Sequence, residues 1–180
     1  LHVRSRRQRQ MCIRDSMSTV APMEFTFHRA TESDRTYLRR LNFLADIYGD
    51  ESKEVRPEQL PDVERYVDEW DPQRDGGVIA FDQFRIPAGG VWLRYWTSPD
   101  QGYANLSPGT PEIAIAIENR YAGHRLGEAL LREVVDLARE QGATQVALFV
   151  AEDNPRARHR YEAFGFSDVA VPGGVMVYQL

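Results

Sequence analysis

Residues 111–166 decide the fold. They open with Ile113-Ala114-Ile115-Ala116-Ile117 and continue into the turn Asn119-Arg120-Tyr121-Ala122-Gly123-His124-Arg125-Leu126-Gly127. In the first run bulky and small apolar residues alternate, the period-two signature of a buried strand. After the turn, Leu126, Leu130, Leu131, Val134, Leu137 and Ala138 recur at helical spacing through residue 140. Gly142 stands where a helix C′ residue belongs. Residues 144–151 are apolar on both faces, as in a strand covered on both sides. Asn154-Pro155 supplies an N-cap and an N1 proline for a short helix that Gly165 ends. This order predicts an α/β domain. The turn is of a kind that suits pyrophosphate: small residues before a helix expose backbone N–H groups, and the helix dipole favours an anion there.

The flanks extend the same pattern. Phe25, Phe27 and Arg29 alternate with Thr26 and His28, predicting a first strand. Thr31 or Ser33 caps a helix carrying Tyr37, Leu38, Leu41, Leu44, Ala45 and Tyr48, which Gly49 ends. An acidic loop follows, with Asp46, Asp50, Glu51 and Glu54. A second helix is expected over residues 57–70, with Leu60, Val63, Val67 and Trp70 on one side and Pro61 near its start. Residues 78–84 and 91–96 read as an antiparallel hairpin turned at residues 86–90. Residues 98–111 form a long loop next to Trp92, Tyr95 and Trp96 and containing Tyr103, and loops of that length are often functional. Residues 166–171 and 175–180 read as two last strands around Pro172-Gly173-Gly174.

Composition narrows the class. The chain has 180 residues, 42% of them hydrophobic, enough for one sizeable core and too apolar for disorder. No apolar run is long enough to span a bilayer. Cys12 is the one cysteine, which excludes an intramolecular disulfide and a cysteine-based zinc site. His2, His28, His124 and His159 are scattered, so no metal is expected. Residues 1–16 hold five arginines and one acid; without them the balance is 17 basic to 26 acidic, a net charge of −9. That acidic body argues against a nucleic-acid partner and fits a cationic partner better. The basic segment lacks the apolar core of a secretory signal, so cytoplasmic location is expected. Met11-Cys12-Ile13-Arg14-Asp15-Ser16 resembles translated sequencing-adapter read-through. Residues 1–16 are therefore expected to be non-native or disordered, with one domain over 17–180.

Known phosphate-binding turns can be checked residue by residue. A nucleotide P-loop ends in Gly-Lys-Ser/Thr, whereas Gly127 is followed by Glu128-Ala129. A dinucleotide fingerprint needs three spaced glycines, and only Gly123 and Gly127 are present. The turn instead resembles that of the GNAT family of coenzyme A-dependent N-acetyltransferases, Arg/Gln-x-x-Gly-x-Gly/Ala. It departs from that pattern twice: Ala122 replaces the basic or amide residue, and Arg125 replaces the middle glycine. The family's later pattern, Asn-x-x-Ala-x-x-x-Tyr-x-x-x-Gly-Phe, is complete in Asn154, Ala157, Tyr161, Gly165 and Phe166.

The resemblance implies a GNAT-type acyl-CoA N-acyltransferase fold, with a mixed central sheet of six to seven strands, splayed and flanked by helices. It implies acetyl-CoA as co-substrate. Pantetheine would lie near the backbone of Ile115 and Ile117. The pyrophosphate would sit on the turn formed by Ala122, Gly123, His124, Arg125, Leu126 and Gly127, with Asn154 opposite. The expected reaction is acetyl transfer to a primary amine by direct attack, the acceptor being a small molecule or a peptide and the protein a monomer or homodimer. An amine with a pKa of roughly 10 must lose a proton before it attacks. Glu112, which shares a strand face with Ala114 and Ala116, is the candidate base, and Tyr161 the candidate general acid. Backbone N–H groups of the splayed strand would stabilise the oxyanion. The alternative is a non-catalytic acyl-CoA sensor or interaction module of the same fold.

Overall fold

The computed structural model describes residues 23–98, 101–170 and 173–180. The basic segment 1–16 and the turn residue Pro172 lie outside the described residues. Among the described residues seven strands form one mixed sheet: β1 (Phe25–Arg29), β2 (Gly77–Asp82), β3 (Pro87–Arg94), β4 (Glu112–Ile117), β5 (Gln145–Phe149), β6 (Ser167–Asp168) and β7 (Val175–Gln179). Their order across the sheet is β1-β2-β3-β4-β5-β7-β6. Only β4 and β5 run parallel; the other neighbours are antiparallel. The α-helices of the described residues are α1 (Arg35–Asp46), α2 (Leu126–Glu140) and α3 (Pro155–Phe164).

The alternation in the strands sorts side chains to two cores. On one face Val78, Val91, Leu93 and Ile113 pack with Leu126, Leu130, Leu131 and Val134 of α2. On the other, Ile79, Trp92 and Ala116 pack with Leu38, Leu41 and Leu44 of α1 and with Tyr66, Val67 and Trp70. Each fully buried leucine contributes roughly 1.5–3 kcal/mol of burial free energy. Residues 111–166 thus supply β4 and β5 in the sheet together with α2 and α3.

Three expectations are corrected. The helix over 57–70 is not a regular α-helix. A 3-10 turn (Pro57–Gln59) leads into a π-helical segment (Glu64–Asp68), where the Glu69 amide bonds the Glu64 carbonyl at 2.9 Å. Pro61 breaks the regular ladder between them. The wider π turn brings Tyr66 inward, whereas Leu60 is 63% exposed and not on the packed side. The hairpin turn falls earlier than expected, around Gln83–Arg85, with Arg85 at φ 62°. Gly89 and Gly90 lie within β3 and are needed for close approach: a Cβ would meet the Ala116 carbonyl oxygen at 2.8 Å and Leu41 Cδ1 at 2.7 Å, respectively. Finally, of the strand expected over 166–171, the described residues up to 170 form strand only at Ser167–Asp168.

Candidate active site

The central feature is where the sheet opens. β4 and β5 pair in register at one position, Glu112 with Ala147, and the Ala147 amide bonds the Pro111 carbonyl at 3.0 Å. Beyond that point the two strands part. The Glu118 amide bonds the Ala88 carbonyl of the β3 side at 3.0 Å. By strand alternation, the backbone groups of Ile113, Ile115 and Ile117 therefore face the gap. A cleft of about 1230 Å³ follows this gap, lined by residues of β4, the 119–127 turn, α2, α3 and the α1 side.

One end of the cleft is the turn. Gly123 takes φ 88° and a Cβ there would meet nothing within 4 Å, so this glycine answers to backbone conformation. Gly127 answers to packing: its Cβ would stand 3.2 Å from Ile117 Cδ1. Arg125 adopts the left-handed conformation, φ 59° and ψ 15°, that a glycine takes without strain. Its side chain is 84% exposed and pairs with Glu128 at 3.1 Å, so it does not block the turn. The helical ladder of α2 begins with Ala129 bonding the Arg125 carbonyl at 3.3 Å. The amides of Leu126, Gly127 and Glu128 precede it and have no intrahelical acceptor. Ala122 and Leu126 also border the cleft, while His124 is exposed and not part of its lining. Arg132, Arg156 and Arg160 add positive charge around this end. Unbonded amides, a helix N-terminus and arginines suit the phosphates of coenzyme A.

Asn154 and Tyr161 line the cleft from the α3 side. Asn154 Oδ1 caps α3 by accepting the Ala157 amide at 3.2 Å. Its local role as a cap is therefore real, and its amide group remains beside the cleft. The Tyr161 ring packs edge-on against Phe166, with centroids 5.9 Å apart. Burial pushes its phenol up to about 12, so it stays protonated at neutral pH.

Glu112 stands at the opposite end of β4, about 20 Å from the turn by strand rise. It is 2% exposed. Tyr66 Oη and Trp96 Nε1 each donate to it at 2.7 Å, and the amides of Tyr103 and Ala104 add to its shell. Desolvation raises its pKa, while these donors favour the ionised form and oppose the rise. Gly102, at φ 73°, lets the 101–110 segment close over Trp96 and Glu112; a Cβ there would overlap both. The long loop thus serves the site by burying this carboxylate.

The same end gathers Asp46, Asp62, Tyr66 and Tyr103 around the cleft. The acidic loop was visible in the sequence, but Asp62 and Tyr66 were missed as site residues. Their i,i+4 spacing was the available signal, and the expected Leu60–Val67 stripe masked it. Glu118, also on the cleft side of β4 parity, is instead held by Arg40 at 3.1 Å. Trp92 is core, fully buried, with its indole N–H on the Tyr66 carbonyl at 2.9 Å. Among the described residues no group of three His, Cys, Asp or Glu side chains is placed to hold a metal, and no helix is long and apolar enough to cross a membrane.

Comparisons with known proteins agree with this architecture. The PaiA N-acetyltransferase of Thermoplasma acidophilum, solved in complex with coenzyme A, superposes with a TM-score of 0.66 at 15% identity, covering 88% of this chain and 100% of that one. Spermidine N-acetyltransferase from Vibrio cholerae, solved with coenzyme A and spermine, gives a TM-score of 0.56 at 18% identity, over 86% of this chain and 95% of that one. At such identities the likeness is one of fold. In sequence, mycothiol acetyltransferase of Beutenbergia cavernae is 30% identical over 108 residues, 53% of this chain and 36% of that protein. The chain spans about a third of the length of the curated relatives it matches. The pattern of the acetyltransferase (GNAT) family matches residues 41–166, well over half of the chain and all of the strand–turn–helix unit that frames the cleft, and to that family the chain belongs.

Proposed function

We propose that this protein transfers the acetyl group of acetyl-CoA to a primary amine by direct attack. One observation carries the reading: the opening between β4 and β5 leads from the free first-turn amides of α2 and nearby arginines to a buried carboxylate, with a protonated tyrosine along the way. The turn amides from Gly123 to Gly127 would hold the pyrophosphate, and the gap-facing backbone of Ile115 and Ile117 would bond the pantetheine arm. Asn154 would contact that arm from α3.

In the reaction the amine nitrogen forms a bond to the acetyl carbonyl carbon and the carbon–sulfur bond breaks. Starting from the ammonium form, the nitrogen loses two protons, one before attack and one as the amide forms; the thiolate gains one and the other leaves to solvent, so the chain must accept a proton at one end and offer one at the other. Glu112 is assigned as the acceptor, through one water, because both its oxygens already hold donors. Tyr161 is assigned as the donor to sulfur. Its phenol is a weaker acid than a thiol, so its hydrogen bond stabilises the developing thiolate, and solvent completes the exchange. Backbone N–H groups along β4 would stabilise the oxyanion. No cysteine or Ser–His pair lies in residues 111–166 to serve as a covalent nucleophile, which favours direct attack.

The test combines a thermal-shift titration with acetyl-CoA and thiol release over a panel of amines. We expect a rise in melting temperature with acetyl-CoA, and turnover that falls about 10²-fold or more in Tyr161→Phe with the thermal shift retained. Binding without turnover on any amine, unchanged in Tyr161→Phe, would favour the acyl-CoA sensor. Absence of binding would sink both readings.

A further inference from the structure

We propose that Asp46 and Asp62 form an ammonium-binding subsite at the Glu112 end of the cleft, so that the acceptor is a diamine or longer polyamine carrying a second cationic group besides the amine that is acetylated. The identity of the first amine's reaction rests on the acetyl-transfer reading above; the subsite rests on its own geometry.

Asp62 carries the argument. It is 2% exposed, yet it lines the cleft. Its Oδ2 accepts the Tyr103 hydroxyl at 3.0 Å. Its Oδ1 is buried and has no hydrogen-bond partner among the described residues; the nearby guanidinium, Arg65 Nη1, stands at 4.0 Å, beyond hydrogen-bond reach. Buried carboxylate oxygens are seldom left without a donor, and an ammonium entering the cleft would supply one.

The surroundings suit the same ligand. Asp46, from the last turn of α1, also borders the cleft, with Oδ2 accepting the Asn42 amide at 3.0 Å. Burial, and after it repulsion from Asp62, pushes Asp46 up to about 7. Arg56 opposes the shift from the adjoining loop, but its guanidinium is engaged by the Tyr48 hydroxyl at 2.8 Å and by Gln59 at 3.0 Å. Tyr103 and Tyr66 are the remaining titratable groups against Asp62, and both are kept protonated: burial and Asp62 push the Tyr103 phenol up to about 12, and burial and Glu112 raise that of Tyr66. The Tyr103 ring stacks on Phe149 at 4.9 Å and lies over Tyr66 at 6.3 Å, giving an aromatic wall for a methylene chain or a cation. An anionic acceptor would meet three carboxylates here, and a neutral one would leave Asp62 Oδ1 unbonded.

The experiment titrates the full chain, saturated with coenzyme A, with 1,4-diaminobutane, butylamine and 4-amino-1-butanol by calorimetry, and follows acetyl transfer to each. We expect the diamine to bind at least about tenfold more tightly than either monoamine, the scale of one charge-assisted hydrogen bond. Asp62→Asn and Asp46→Asn should each remove most of that preference, and in the native protein it should weaken as pH falls through about 7. The melting shift with coenzyme A checks that each variant is folded, and the pH series on the native protein gives an answer should a variant fail that check. Equal binding of the diamine and butylamine, or a preference that survives both substitutions, overturns the subsite. A diamine preference without acetyl transfer to any amine would overturn the proposed reaction and leave the subsite standing.

Discussion

Arg125 offers a substitution whose sign can be worked from the backbone. It sits at φ 59° and ψ 15°, where an L-residue carries roughly 1–2 kcal/mol of strain. Glycine would relieve that strain but lose about 0.5–1 kcal/mol through the entropy of the unfolded chain. The Arg125–Glu128 pair, with side chains 84% and 39% exposed, is screened and adds only a few tenths. Arg125→Gly should therefore stabilise by about 0.5 kcal/mol, a melting rise of roughly 1–2 °C. Arg125→Ala removes the same ion pair but keeps the strained φ. The glycine variant should therefore be the more stable of the two by about 0.5–1 kcal/mol, the reverse of the order in a helix interior. Thermal and urea unfolding of the two variants reads this difference without any assumption about the coenzyme. An alanine variant as stable as the glycine variant would refute the argument that this position holds a left-handed residue. Coenzyme A titration of the same pair then isolates the side chain: if phosphate is held by the turn amides, Arg125→Gly binds within a few-fold of the native protein.

Gly89→Ala should destabilise by about 1–3 kcal/mol in urea unfolding, because its Cβ would press on the Ala116 carbonyl of the paired strand; a neutral effect would mean that β3 and β4 are not so close. Asp75→Ala should cost about 3–5 kcal/mol, since Asp75 and Arg94 are both buried and paired, and the arginine would be left with only the half-exposed Glu69 at 3.8 Å as counter-charge. For Asp46 the folded-state pKa is raised from 3.8 to about 7, so the folded chain binds more protons than the unfolded chain between those values. This group's contribution to stability therefore falls as pH rises through that window. Asp46→Asn should accordingly gain in melting temperature over the native protein between pH 4 and pH 8, and parallel curves would refute the shift.

Much of the domain could be read along the chain because its signals are local. The alternation in 113–117, the helical stripe from Leu126 and the glycine at 142 each report what one segment does with its own neighbours. The structure returns them as β4, α2 and a C′ glycine at φ 83°. Asn154-Pro155 is likewise a cap that works within one turn. Where an element answers to a distant partner, local pattern misleads. Gly89-Gly90 looks like a turn, but it lies in a strand because Leu41 and β4 leave no room for a side chain. The Pro57–Gln59 to Glu64–Asp68 region has helical periodicity, yet Pro61 and the inward turn of Tyr66 replace the regular helix.

The candidate site divides in the same way. Sequence alone determined the α/β order, the phosphate-type turn, the family likeness carried by Asn154 to Phe166, and Glu112 and Tyr161 as groups worth testing. Tertiary structure decided how β4 parts from β5, which way the Arg125 side chain turns, and which acids meet. Asp46, Asp62, Tyr66, Tyr103 and Glu112 come from α1, the irregular helix, a loop and a strand, and beyond the i,i+4 pair Asp62–Tyr66 nothing in their spacing joins them. They meet because the alternation of β4 sends Glu112 to the α1 face, where the irregular helix and the 101–110 segment close over it, leaving Asp62 with one oxygen buried and unbonded.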